Sequence, residues 1–107
     1  MTFDVVLAPG AVRSLRALRA DIRGRVRDAI ERHLRHEPTK TSRSRIKRLR
    51  GVSRPQYRLR VDEIRVFYDV TETAVEVLAI VTKAEVQAWL DEEATPDSPS
   101  GTGQGQG

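Results

Sequence analysis

The stretch QYRLRVDEIRVFYDV, residues 56–70, decides how this chain folds. Two runs of β-forming residues flank the pair Asp62-Glu63, which reads as a hairpin with a two-residue loop. Pairing across that loop sets Val61 opposite Ile64, Arg60 opposite Arg65, Leu59 opposite Val66, Arg58 opposite Phe67 and Tyr57 opposite Tyr68. Strand alternation then sorts the ribbon into two faces. Tyr57, Leu59, Val61, Ile64, Val66 and Tyr68 form an apolar face suited to a core. Arg58, Arg60, Arg65 and Phe67 form the other. Asp-Glu is a poor two-residue turn beside Asn-Gly or Asp-Gly, but a slip of one residue would drive arginines into the core.

Like charges placed opposite each other weaken a sheet by up to ~1 kcal/mol, so solubility does not account for them. Guanidinium forks match phosphate oxygens, and an aromatic ring beside them can stack a base. This face therefore predicts a site for single-stranded nucleic acid. The competing reading splays the arginines over a solvated face, paired with Asp69 or Glu76.

Outward from the hairpin, residues 74–81 (AVEVLAIV) read as a central strand and residues 2–8 (TFDVVLA) as a first one. Between 12 and 34 apolar residues recur in steps of three and four, which is helical spacing. Pro9 is placed to open a helix, Asp21 to cap a second, and Gly24 weakens the interior. A helical hairpin over 9–20 and 22–36 follows, ended by Pro38. Residues 37–54 carry seven basic residues and read as a loop anchored inward by Ile46 and Leu49. Residues 83–92 have helical period after a capping Thr82. The predicted architecture is α+β, with a small antiparallel sheet and an N-terminal helical hairpin packed on one side, in the order βααβββα. Residues 1–94 form one domain. Residues 95–107, rich in Gly, Ser, Pro and Gln, are expected to be disordered.

The chain has 107 residues and a formal net charge of +4. Residues 13–60 hold 17 of the 19 Lys and Arg but only four of the 15 Asp and Glu, a distribution that suits a polyanion or an acidic protein partner. The absence of Cys excludes disulfides and thiolate zinc sites. No apolar run approaches the ~20 residues of a membrane span, and the start of the sequence lacks the pattern of a secretion signal. A cytoplasmic location is expected. His33 and His36 lie three apart without an evident third ligand, so no metal site is expected, and Trp89 reads as a core or interface anchor.

Three segments in order carry a resemblance: LRG at 49–51, YRLRVDEIRVFYDV at 57–70 and VEVLAIVTKAEV at 75–86. Together they resemble the RelE/ParE superfamily of bacterial type II toxins over roughly residues 3–90. The resemblance implies a ribosome-dependent mRNA endoribonuclease that inhibits translation with no metal or other cofactor, the ribose 2′-OH attacking the neighbouring phosphate. By position Arg58, Arg60, Arg65 and Lys83 are the implied catalytic residues; beside them Lys47, Arg50, Arg54 and Phe67 are this sequence's candidate RNA contacts. It also implies a cognate antitoxin as partner, and DNA contact only through that complex. ParE-like relatives instead inhibit DNA gyrase without enzymatic activity, and an inactive, antitoxin-bound regulator is a third alternative. Two departures stand out. The segment TKAEVQAWLDEE has one Lys and neither the Arg nor the Tyr usual in RelE-like nucleases, and Asp62 replaces the usual turn Gly.

Overall fold

The computed structural model describes residues 2–97. Strand β1 (Asp4–Leu7) leads into α1 (Pro9–Ala17), with Pro9 in the first turn, where its missing N–H leaves no bond unmade. A short bend precedes α2 (Ala20–Ala29), which continues as a π-helical turn over Ile30–Leu34. Asp21 does not cap α2. It sits in the first turn, favoured by the helix dipole, and pairs with Arg19 at 2.9 Å. The widened turn has a reason in the sequence. Val26, Ile30 and Leu34 are spaced by four, and each such step overshoots an α-helical turn by about 40°. A five-residue turn, closed by Arg35 N–H on the Ile30 carbonyl at 3.3 Å, keeps all three buried.

The sheet has five strands, in the order β1, β6 (Ala74–Thr82), β5 (Ile64–Val70), β4 (Tyr57–Val61) and β2 (Ile46–Arg48). Strands β4 (Tyr57–Val61) and β5 (Ile64–Val70) pair in the predicted register, residue for residue. Asp62 occupies the left-handed region, φ +53°, which Asp tolerates better than most residues. Arg25 holds its carboxylate at 2.7 Å, so α2 braces a turn whose own chemistry is weak. Strand β6 (Ala74–Thr82) lies antiparallel to β5 and parallel to β1, so the sheet is mostly, not wholly, antiparallel. A bulge inserts Leu78 between Val77, opposite Tyr68, and Ala79, opposite Phe67. Val75, Val77 and Ile80 thereby all reach the core.

Within 37–54 the expectation of a loop is corrected. Ile46–Arg48 form a strand, β2, antiparallel to β4, with Ile46 opposite Leu59, Lys47 opposite Arg58 and Arg48 opposite Tyr57. Ile46 is buried and Leu49 half-buried, as anchors should be. Three residues, two of them cationic, carry too little alternation to announce a strand. The predicted order therefore gains an edge strand. Strand β3 (Val52–Arg54) pairs with β7 (Thr95–Pro96), and Asp97 N–H reaches the Gly51 carbonyl at 2.9 Å. The chain is thus still paired at 95–97, inside the segment expected to be disordered, and the rest of that segment lies outside the described residues.

Helices and π turn cover one face of the sheet, where Leu59, Val66, Tyr68, Val75 and Val77 are fully buried with Val26 and Leu34. The Tyr68 hydroxyl donates to the Pro38 carbonyl at 2.7 Å, closing the end of the helical segment onto the sheet. After β6 a 3₁₀ turn (Lys83–Glu85) enters α3 (Val86–Glu93), with the Glu85 carboxylate accepting from the Thr82 N–H and hydroxyl, both at 2.9 Å. No helix among the described residues is long and apolar enough to cross a membrane.

Candidate nucleic-acid interface

Register and alternation together compose the face opposite the helices. Across β2, β4 and β5 one row reads Lys47, Arg58, Phe67, and the next brings Arg60 against Arg65. The Arg60 N–H donates to the Arg45 carbonyl at 2.8 Å, which extends the β2–β4 ladder and adds Arg45 beside Arg60. Arg45 was missed in sequence because the strand that aligns it was missed.

The four cations implied as catalytic differ in setting. Arg60 is exposed and lines an open cleft with Ser44, Arg45 and Asp62. Arg58 is half-buried. One of its terminal nitrogens reaches the Ser44 carbonyl at 3.2 Å, while its Nε is buried with no hydrogen-bond partner among the described residues. Burial, then Arg65, then Arg60 push the Arg58 guanidinium below its ordinary pKa. Arg65 departs from the exposed cluster expected of it. It is 7 % accessible, and its Nη1 donates to the backbone carbonyls of Asp62 at 2.8 Å and Ile64 at 3.1 Å. Its place next to the turn makes it a brace for the hairpin and a charged neighbour to Arg58. Lys83 is exposed at the end of β6, its backbone N–H on the Glu63 carbonyl at 2.7 Å, which sets it beside the hairpin tip.

Phe67 also departs from expectation. It is fully buried, stacked on Trp89 of α3 at 4.9 Å and 5° between planes. The indole takes the surface a base would need, so the structure leaves Phe67 no free stacking face, and Trp89 is the anchor the sequence suggested. Lys47 and Arg50 are exposed and share an open cleft with Arg48, whose guanidinium lies over the Tyr57 ring at 5.2 Å. Arg54 stands apart, 3.5 Å from the Asp69 carboxylate. Tyr57 stacks on Tyr68 at 5.5 Å and faces the core side.

Among the described residues, none of Lys47, Arg50, Arg58, Arg60, Arg65 and Lys83 has a carboxylate within 4.0 Å. Of the two expected neutralisers, Asp69 pairs with Arg54 and accepts the Gln56 N–H at 2.8 Å, and Glu76 has no ion pair among the described residues. Nor, among those residues, does any group of three or more His, Asp or Glu side chains form a metal cage. The arrangement can hold an anion and stabilise added negative charge on it.

An α+β domain with a helical pair on one face of a mostly antiparallel sheet defines the fold class. That architecture is shared with two solved antitoxin–toxin complexes. A chain of the RelB–RelE complex from Methanococcus jannaschii superposes with a TM-score of 0.60 at 19 % identity, covering 78 % of this chain and 96 % of that one. A chain of the archaeal RelE–RelB complex from Pyrococcus horikoshii OT3 superposes with a TM-score of 0.59 at 25 % identity, covering 78 % and 97 %. No family model and no curated protein matches the sequence.

Proposed function

We propose that this chain is the toxin of a type II toxin–antitoxin pair and that its bare sheet face is a metal-independent endoribonuclease site acting on ribosome-bound mRNA in the cytoplasm. The observation that carries the proposal is the cation set around Arg58, unneutralised among the described residues, with the buried Arg58 Nε unpartnered among them. A fold that desolvates a guanidinium without giving it a carboxylate leaves it to an external anion. The sequence resemblance and the likeness to RelE–RelB complexes support the toxin class and a cognate antitoxin as partner. The two complexes compared above are archaeal, so the proposal concerns the toxin class and not a bacterial subgroup.

In the proposed reaction the ribose 2′-oxygen attacks phosphorus, the P–O5′ bond breaks, and the products are a 2′,3′-cyclic phosphate and a 5′-hydroxyl. Arg58 and Arg60 grip the phosphoryl oxygens and stabilise the charge that grows on them. Arg65 holds the turn that aims them. Of the four cations only a lysine ammonium can give up a proton, so Lys83 is assigned to protonate the departing 5′-oxygen. The carboxylate beside Arg60, that of Asp62, is held by Arg25. The base for the 2′-hydroxyl is accordingly assigned to the ribosomal complex.

A second reading, inhibition of DNA gyrase by protein contact, is favoured by one observation: Trp89 closes the aromatic platform over Phe67. Expression of the chain alone in bacteria separates the two. New mRNA 5′-hydroxyl ends inside translated codons are expected. Intact mRNA with altered DNA supercoiling would instead select the gyrase reading, and no growth defect would select an inactive, antitoxin-bound regulator.

A further inference from the structure

A second concentration of free cations lies around the corner from the sheet face. Between α2 with its π turn and the tip of the β4–β5 hairpin is a cleft of about 320 Å³. Arg32 and His33 enter it from the helix, Arg45 from the segment before β2, and Arg60 from the hairpin. Arg25 is tied to Asp62 at 2.7 Å and closes one wall. Arg32, Arg45 and Arg60 have no carboxylate within 4.0 Å among the described residues, and Asp28 is the remaining acid of the lining. Only Ala29 and Val61 line it with carbon, too little to seat the apolar anchors of a protein helix. No Phe, Tyr or Trp lines it, and beside the one imidazole of His33 it offers a phosphate three guanidinium forks.

His33 senses this field. Burial, then Arg45, then Arg32 push its imidazole below the usual range, against an opposing pull from Glu37. Lys40 and Glu37 line a neighbouring cleft that also includes His33 and Arg45.

We infer that this cleft is a second phosphate site, which takes the backbone of single-stranded RNA as the strand passes Arg60 off the sheet face. The inference rests on the reading of that face as an RNA site, because Arg60 belongs to both. A bound phosphate offsets the repulsion that Arg32 and Arg45 exert on the His33 imidazolium, so RNA raises the midpoint at which His33 titrates.

The test uses the full chain and an uncleavable 2′-O-methylated oligoribonucleotide. Proton NMR follows His33, with His36 as the internal reference. Binding is measured across a salt series for the parent and for the double variant Arg32→Gln/Arg45→Gln, both of whose altered residues are exposed. The oligonucleotide is expected to raise the His33 midpoint. The double variant is expected to lower the slope of log affinity on log salt by about 0.7 for each phosphate released, with an unchanged melting temperature. An unmoved His33 and an unchanged slope, with binding still abolished by Arg58→Ala, would overturn the cleft and leave the sheet-face site standing. No binding by the parent would overturn both. A His33 shift with duplex RNA or an acidic peptide, but not with the single strand, would overturn the assigned ligand. RNA held in the cleft by a chain that cuts no mRNA in cells would sustain this inference while refuting the nuclease.

Discussion

Arg19, Arg25 and Arg35 of the helical segment and Arg58 of the sheet are the same side chain in opposite circumstances. Arg19 meets Asp21 at 2.9 Å, Arg25 meets Asp62 at 2.7 Å, and Arg35 grips Glu31 through two bonds of 2.7 and 2.8 Å. Each is pushed above its ordinary pKa by that carboxylate. On the sheet the sign reverses: Arg58 is pushed down, by burial and by its neighbours Arg65 and Arg60. Exposed pairs like those on the helices contribute little to stability. A half-buried guanidinium with a bare Nε works against it. The difference shows where the fold resolves its charge internally and where it leaves charge for something else.

The largest effect expected from breaking this contrast is at Arg60. It is exposed, and Arg65 faces it across the ladder. Arg60→Ala should lower the rate of mRNA cleavage by about 10²–10³-fold, the usual cost of one donor to a developing oxyanion. Its melting temperature should not fall, because a like-charge pair has been removed. Arg19→Ala, the helix counterpart, should leave cleavage unchanged. Equal losses from both would mean that overall charge, not the sheet face, governs activity. Arg65→Ala is a poorer probe, because it also strips the Asp62 and Ile64 carbonyls of their donor.

Next comes Trp89, which divides the face into a sealed part and an open part. Trp89→Ala removes the ring stacked on Phe67 and should destabilise the fold by about 2 kcal/mol. Melting should drop by roughly 10 °C. A variant of unaltered stability would show that α3 is not needed to cover the sheet.

A smaller effect, of opposite sign, is expected at Arg58. Arg58→Met keeps a long apolar stem and deletes both the unpartnered Nε and the repulsion. Stability should rise by up to ~1 kcal/mol, or roughly 4–8 °C in a thermal melt, while toxicity is lost. Stability gained as function disappears is the mark of a site held in an unfavourable state. A destabilised Arg58→Met would mean that the guanidinium is structural, in the manner of Arg65.

These contrasts were unevenly legible in the sequence. The hairpin declared its register because two faces of opposite character alternate over five paired positions, and α2 supports the turn that Asp62-Glu63 alone would not specify. What alternation cannot reveal is depth. It puts Arg65 and Phe67 on the same side as Arg60, but the burial of β5 on both faces depends on α3 and the turn carbonyls, which come from elsewhere in the chain. Strand β2 was hidden for a related reason. A three-residue edge strand carrying Lys47 and Arg48 is specified by its partner, β4, more than by its own composition. With it went Arg45, and so the cleft where Arg45 meets Arg32 and Arg60.

The smallest effect sharpens the comparison from the helical side, where His33 is a cation site that the fold suppresses. Its folded pKa lies below the ordinary value near 6.5, from burial first and then from Arg45 and Arg32. As pH falls through about 6.5, the unfolded chain takes up a proton that the folded chain refuses. Stability therefore rises with pH across the window between the folded pKa and 6.5, and is level above it. The carboxylates lowered by hydrogen bonds, Asp21, Glu31 and Glu85, act in the same direction but at more acid pH, near and below about 4. The two windows are therefore separable. Urea midpoints measured between pH 5 and 8 should climb gently to a plateau in the parent, and His33→Gln should flatten that climb. Arg45→Gln should shrink it by relieving one source of repulsion, and by less than His33→Gln does, since burial is the larger cause. A slope that survives His33→Gln would assign the titration to a different group and remove His33 as the reporter of the arginines around it.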